Sequence, residues 1–383
     1  MEWVKLGDIA DINSGGTPRR SNLSYWKNGN IPWIKISDLK EKYVNKSEEF
    51  ITDDGLNNSS AKMFVEGTIL YTIFATIGEA AILKIPATTN QAIAGINITN
   101  DSYNVEYIYY YLLSIKEKIK KESRGVAQNN INLTILKNLK IPSINKLKQN
   151  EVVNTLKQIE KLIEIRKEQI QSYDDLIESL FFEMFKKYNT KSVNLGDLFE
   201  LKSGSTPSRK NNEYWNKNDI PWIKSNQVNN NFIFNTEEYI SQEGYKNSSL
   251  EIYPEDTVLI AMYGQGKTRG QVGILKFEST TNQAVAALIP NKISNMTFIF
   301  YLLKTKYEEL RGLSQGGNQK NLSLKILKNF KIFNPPIELQ NKFADYVIKI
   351  EEEKKKLNSS LKELGDLFDA LMQDAFSGNL FKD

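Results

Sequence analysis

Residues 6–35 read LGDIADINSGGTPRRSNLSYWKNGNIPWIK, and residues 195–224 read LGDLFELKSGSTPSRKNNEYWNKNDIPWIK. Sixteen of these thirty aligned positions are identical. The chain is written twice, and that repetition decides the fold. Further matches follow in order: TTNQA at 88–92 and 280–284, YYLL at 110–113 with FYLL at 300–303, and ILKNLKI at 135–141 with ILKNFKI at 326–332. The offset drifts only from 189 to 192, so the halves align end to end. Solenoid repeats run to roughly 20–50 residues, so this is a duplicated domain pair.

Each copy has two parts. The first, residues 1–148 and again 188–339, mixes short β-like runs with Gly, Asn and Pro turns. Runs at 68–74 and 257–262 read as strands, and stretches at 105–122 and about 295–311 read as helix. The second part, residues 149–187 and 340–383, has another period. Val152, Leu156, Ile159, Ile163, Arg166, Ile170, Tyr173, Ile177, Leu180 and Met184 alternate spacings of four and three. So do Phe343, Val347, Ile350, Lys354, Leu357, Leu361, Leu364, Phe368, Leu371 and Ala375. Such a seam predicts two coiled-coil helices; a long core helix in an ordinary bundle is the alternative. Gly365 lies off the seam and costs about 1 kcal/mol. Arg166 and Lys354 stand where the other copy is apolar, a placement that fixes orientation and register.

The expected architecture is therefore α+β. Two duplicated mixed α/β domains are separated by two long helices in an antiparallel coiled coil, under a pseudo-two-fold axis. About 36 helical residues span ~54 Å. That length covers about one and a half turns of B-DNA at ~34–36 Å per turn.

Charge follows the same division. Residues 1–148 carry 19 basic and 15 acidic side chains, and residues 188–339 carry 18 and 14. The seam segments carry 6 and 8, then 7 and 9. Mildly basic domains thus alternate with acidic helices. The 383 residues include no Cys and no His. Disulfides, thiolate metal sites, the usual zinc sites and a histidine general base are excluded. The opening residues lack the apolar core of a signal peptide, and no apolar stretch reaches the ~20 residues of a membrane span. A cytoplasmic protein is expected.

In order and in duplicate, LGD…GxTP, YW…IPWIK, TNQA and ILKNLKIP leading into a long helix resemble the specificity subunits of type I restriction–modification systems. The helix ends SLFFEMF (179–185) and LMQDAFSGNL (371–380) share the likeness. The resemblance implies two target-recognition domains, each reading one half of a split DNA sequence. It implies helices that act as a ruler and dock two modification (adenine methyltransferase) subunits, which restriction subunits join. No cofactor is expected on this chain. S-adenosylmethionine would sit on the modification subunits, and ATP and Mg on the restriction subunits.

Domains that read different half-sites should share their core and differ at their readers. Tyr25, Trp26 and Trp33, with Tyr214, Trp215 and Trp222, occur in both copies and read as core. Candidate base readers lie where the copies diverge: Lys62, Arg124, Gln128, Asn129 and Asn130 in the first, and Asn226, Gln227, Lys267, Arg269, Gln315, Asn318 and Gln319 in the second. Arg and Lys suit guanine, and Asn and Gln suit adenine; polar loop is the plain alternative for each. Lys35 and Lys224, shared by both copies, suit phosphates.

One string argues for an enzyme. AMYGQGKT at 261–268 satisfies a relaxed phosphate-loop pattern. Such a loop must open a helix, whereas RGQVGIL, which follows, reads as a turn into a strand. NPPI at 334–337 lacks the aromatic of an adenine-methylating motif. Asp53 and Asp54 read as a turn, and residues 351–353 as a solvated helix face. An NTPase or nuclease using the Lys267 loop, and a scaffold that does not bind DNA, remain the rival readings.

Overall fold

The computed structural model describes residues 2–123, 130–188, 192–264, 266–313 and 321–377. The chain divides into two compact units, of which only the second is a continuous stretch. One holds residues 1–168 and 358–383, the other residues 169–357.

In the first unit a five-stranded sheet runs in the order Ala10–Ser14, Ile93–Ile98, Ile69–Thr72, Ala80–Leu83, Tyr43–Val44. Its pairs are antiparallel except the last, which is parallel. The central strand buries Ile69, Leu70, Tyr71 and Thr72 together. Ile69 and Tyr71 join a core with the aromatic helix Val105–Ser114. Leu70 faces the other way, toward Ile34, Val44 and Phe64. With both faces covered, the strand has no polar alternation. A three-stranded sheet, Glu49–Ile51, Ile31–Ile34 and Thr88–Thr89, carries Trp33. A ribbon of Glu2–Lys5 against Lys140–Ser143 leads into the first long helix, Lys146–Phe185.

The second unit repeats this plan strand for strand. Its five-stranded sheet runs Leu201–Ser203, Val285–Leu288, Val258–Ala261, Val272–Leu275, Asn231–Ile233. Its last pair is again the parallel one. Glu238–Ile240, Ile220–Ile223 and Thr280–Thr281 form the three-stranded sheet. Ser192–Asn194 pairs with Lys331–Phe333 ahead of the second long helix, Ile337–Ser377.

The long helices have 40 and 41 residues, or ~60 Å each. In the first unit Val152, Val153 and Leu156 share a core with Met372, Ala375 and Phe376. In the second, Ile177, Phe181 and Phe185 share one with Phe343, Val347 and Ile350. The start of each helix meets the end of the other, so they pack antiparallel. Of the seam, Leu156, Ile159, Ile177, Val347 and Ile350 are buried. Ile163, Ile170, Leu180, Leu357, Leu361, Leu364, Phe368 and Leu371 are half-buried, as befits two helices without a third neighbour. Toward their ends the helices also face the globular parts, and the apolar stripe widens to Val153, Phe181, Phe185, Met372 and Phe376.

Two sequence readings change. The stretch 105–122 is two helices, Val105–Ser114 and Lys116–Ser123, and its counterpart is Met296–Thr305 followed by Tyr307–Gly312. Asn104 and Asn295 are the matching N-caps, so these helices align at an offset of 191 rather than the 190 that the YYLL and FYLL letters favour. Tyr110 thus matches Tyr301, and their hydroxyls donate to the matching acids, Glu160 and Glu351. One residue turns a helix by about 100°; the side-chain partners settle what letter identity misplaced. Asp53 and Asp54 also open a short helix, Asp53–Asn57, capped by Thr52, instead of forming a bare turn.

Candidate nucleic-acid interface

The repeated aromatics belong to the framework. Trp33 and Trp222 are buried, 3% and 2% exposed. Each donates its indole N–H to a backbone carbonyl, of Gly16 and Ser205 respectively, at 3.0 Å. Each also meets a second tryptophan edge-on, Trp26 or Trp215, with centroids 5.0 Å apart. An arginine lies over this second tryptophan. Arg20 lies 3.7 Å over Trp26, and Arg209 lies 3.5 Å over Trp215. Each half-buried indole thus already carries an arginine over its ring.

The same arginines pair with Glu49 and Glu238. These carboxylates in turn hold Lys35 at 2.9 Å and Lys224 at 2.6 Å. The hydrogen bond from Arg20 keeps the Glu49 carboxyl below its usual range, and Lys35 is raised, first by its bond to Glu49. For Glu238, burial pushes upward, but Lys224 and Arg209 together leave it lowered. The two shared lysines therefore reach the surface with much of their charge already answered. Arg20, Arg209 and the two glutamates were not singled out from sequence, although all four stand at matching positions.

The divergent candidates separate into two kinds. Gln227 works inside the fold: its side-chain oxygen accepts from the backbone N–H of Lys224, as Asp38 does for Lys35. Arg269 aligns with Ile77, a buried core residue, and is itself half-buried. Lys62, Asn226 and Lys267 are exposed, and Asn130 is half-buried. Lys62 donates to Asn13 at 2.8 Å. At the matching positions the second unit has Glu251 and Lys202, an ion pair with the lysine on the other side. Arg124, Gln128, Asn129, Gln315, Asn318 and Gln319 lie outside the described residues.

Lys267 sits on a hairpin. The strands Val258–Ala261 and Val272–Leu275 pair antiparallel, and the AMYGQGKT string is the link between them. Gly264, Gly266 and Gly270 hold φ values of +152°, +62° and +87°. Such turns need glycine, and among the described residues of the link no helix N-terminus stands ready to cradle a phosphate. The hairpin is braced from outside: the Tyr307 hydroxyl donates to the Lys267 carbonyl at 2.7 Å, and Arg311 donates to that hydroxyl at 2.6 Å. In the first unit the matching link is three residues shorter and bears Glu79, paired with Lys116 at 2.7 Å. The same scaffold thus exposes Lys267 on this link in one unit, and Ala75 and Thr76 on it in the other. Among the described residues no helix is long and apolar enough to cross a membrane.

A duplicated scaffold with divergent polar tips, on paired long helices, is the design of a protein that reads nucleic acid. The type I restriction modification DNA specificity domain matches residues 1–172 and again 188–364, and the chain belongs to that family. It is a DNA specificity subunit of a type I restriction–modification system, a non-catalytic subunit. The specificity subunit of type I restriction enzyme MjaIX from Methanocaldococcus jannaschii is 27% identical over 402 residues, covering 98% of this chain and 92% of that protein. The EcoR124I/EcoR124II specificity subunit of Escherichia coli is 32% identical over 196 residues, 46% of this chain and 48% of the relative. Among solved structures, the type I system S subunit from M. genitalium covers 98% of this chain and 96% of its own, with a TM-score of 0.55 at 18% identity. A chain from a study of complex assembly and conformational transition in the type I system covers 98% and 97%, with a TM-score of 0.65 at 16% identity. At these identities the likeness is one of fold.

Proposed function

We propose that residues 1–148 and 188–339 are two target-recognition domains, each reading one half of a bipartite DNA sequence. The long helices, in segments 149–187 and 340–383, set the spacer and dock two modification subunits. The observation that carries this reading is the contrast between an identical strand order and divergent exposed tips. Base contacts are assigned first to Lys62, Asn130, Asn226 and Lys267, and to Arg124, Gln128, Asn129, Gln315, Asn318 and Gln319. Lys35 and Lys224 contribute phosphate contacts weakened by their glutamates, and Gln227 and Arg269 support the loops beside them. S-adenosylmethionine belongs to the modification subunits, and ATP and Mg to restriction subunits. The complex works on DNA in the cytoplasm.

The test is an exchange of residues 1–148 for the first domain of another family member. Methylated adenines are then mapped in the host genome. One half of the target should change while the other half persists. A simultaneous change of both halves would overturn the modular reading.

A further inference from the structure

The start of each long helix holds a fully buried glutamine, Gln149 and Gln340, both 0% exposed. Each is the fourth residue of its helix. The Gln149 side-chain oxygen accepts from the backbone N–H of Asn104 at 2.8 Å, and its amide donates to the carbonyls of Ser102 at 3.0 Å and Ile144 at 2.8 Å. Gln340 accepts from the Asn295 N–H at 2.9 Å and donates to Asn334 Oδ1 at 2.8 Å and the Pro335 carbonyl at 2.7 Å. Both N–H groups and the oxygen of each amide are therefore engaged.

Asn104 and Asn295 are in turn the N-caps of the aromatic helices, Val105–Ser114 and Met296–Thr305. Each gives its side-chain N–H to the residue after the glutamine, Asn150 at 2.8 Å or Asn341 at 2.9 Å. The chain of amides thus ties the first turn of each long helix to the first turn of the helix under its sheet. Buried hydrogen bonds are directional, whereas apolar contact is not. A joint made of them fixes an angle as well as a contact. One acceptor of the glutamine amide differs, Ser102 in the first unit and Asn334 in the second, yet the bond from the cap N–H to the glutamine and the bond from the cap side chain to the next asparagine are the same in both.

We infer that Gln149 and Gln340 are positioning residues for DNA recognition: they lock the angle between each recognition domain and its ruler helix, and so set how strictly spacer length is read. The inference rests on the reading above that the helices set the spacer. The ruler gives the length, and the lock keeps that length from being blurred by rocking at its ends.

The experiment uses the full chain assembled with its modification subunits, with methylated adenines mapped genome-wide. In Q149A/Q340A, methylation at sites with spacers one base pair longer or shorter should rise roughly tenfold relative to the cognate spacer. That is the change that about 1.4 kcal/mol of lost discrimination produces. Both half-site sequences should stay as they were. N150A/N341A, which removes only the outer bond of each joint, should show the same relaxation at smaller size, and carries the test where the double glutamine variant does not fold. A uniform loss of methylation with unchanged spacer preference would mean that the glutamines only support folding, and would overturn the proposal. Altered half-site bases would overturn it too. A control separates the two layers. One heptad, ~10.5 Å or about three base pairs, is added to both helices of the otherwise native chain. If the spacer moves there but does not relax in the glutamine variants, the lock fails and the ruler stands. An unmoved spacer in the control sinks the ruler, and the lock with it.

Discussion

The two units share one scaffold but fasten it to the long helices by different chemistry. In the first unit the fastening is ionic. Lys42, beside the edge strand, reaches Glu160 of the first long helix at 3.2 Å and the Tyr110 hydroxyl at 2.6 Å. Glu106 of the aromatic helix takes Lys157 at 2.5 Å, Lys42 at 3.4 Å and the Tyr43 hydroxyl. In the second unit Asn231, Thr297, Phe232 and Ile348 stand at the positions of Lys42, Glu106, Tyr43 and Lys157. There Phe232 packs on Phe300 at 5.3 Å and near Tyr301 at 6.5 Å. The acid on the helix is kept, as Glu160 and Glu351, but its cation comes from a different place. Lys42 supplies it in the first unit. In the second, Lys354 supplies it at 2.9 Å from the seam itself, while also holding Asp174 of the other helix at 2.7 Å. A half-buried carboxylate needs a partner; which element provides the partner is free to change. Lys354 is thus the seam charge expected to specify register, and it has a counter-charge on the facing helix.

The largest break in this comparison should come from the aromatic side. Phe298 is fully buried, 4.7 Å from Phe185 and 5.8 Å from Phe181 between ring centroids. Phe298→Ala should destabilise the second unit by about 3–5 kcal/mol. Hydrogen exchange should show lost protection in residues 296–305 and 337–350 while residues 105–114 keep theirs. Equal loss in both would mean that the units do not unfold separately.

A smaller and salt-sensitive effect is expected on the ionic side. Lys42→Met takes the cation from Glu160, leaving it the Tyr110 hydroxyl alone, and should cost about 1–3 kcal/mol, less at high ionic strength. Asn231→Ala, at the matching position, should stay within ~0.5 kcal/mol. Denaturant melts of the two variants at low and high salt make the comparison. Equal effects would show that the lysine is replaceable by packing.

The subtlest difference is one of pH. Burial alone would raise the Glu106 carboxyl, but its bonds from Lys157 and Tyr43, with the Lys42 charge, leave it below the usual carboxylate range. A carboxyl lowered by folding contributes stability that is fully present above its unfolded value and is lost as pH falls through the folded one. Acidification from about pH 6 to below about pH 4 should therefore loosen residues 105–114 more than residues 296–305, where Thr297 replaces the acid. Glu49 and Glu238 are lowered in both units and should act on both alike. Hydrogen exchange across that range decides; matched loosening would remove Glu106 as the cause.

The duplication, the mixed domains and the two antiparallel helices were legible because periodicity and repetition are properties of the letters themselves. The seam was legible for the same reason, but its widening at Phe181, Phe185, Met372 and Phe376 was not. A strict four-three spacing describes a helix with one neighbour, and these ends have two. Readers were the least legible. Gln227 looked like a base-reading amide, yet an amide at a turn serves equally well as a backbone cap, and only the bond to the Lys224 N–H separates the two. Arg269 looked like a loop cation, and the three-residue insertion before it concealed that it stands in the place of Ile77. Lys35 and Lys224 showed their charge in the sequence but not the glutamates that answer it.

The first unit completes its core with residues from the far end of the chain: Phe376 meets Tyr107 at 5.2 Å and Tyr111 at 5.4 Å. During synthesis this has a consequence in time. Residue 168 leaves the ribosome some 190 residues before residue 358 does, a delay of about 10–40 s at ~5–20 residues per second. Through that interval the tyrosine face of the first unit has no cover, while the second unit, bounded by residues 169–357, can close as soon as its own stretch is made. The half that is translated first is the half that finishes last, and a chain released after residue 357 but short of Met372, Ala375 and Phe376 has a finished second unit and an open, sticky first one.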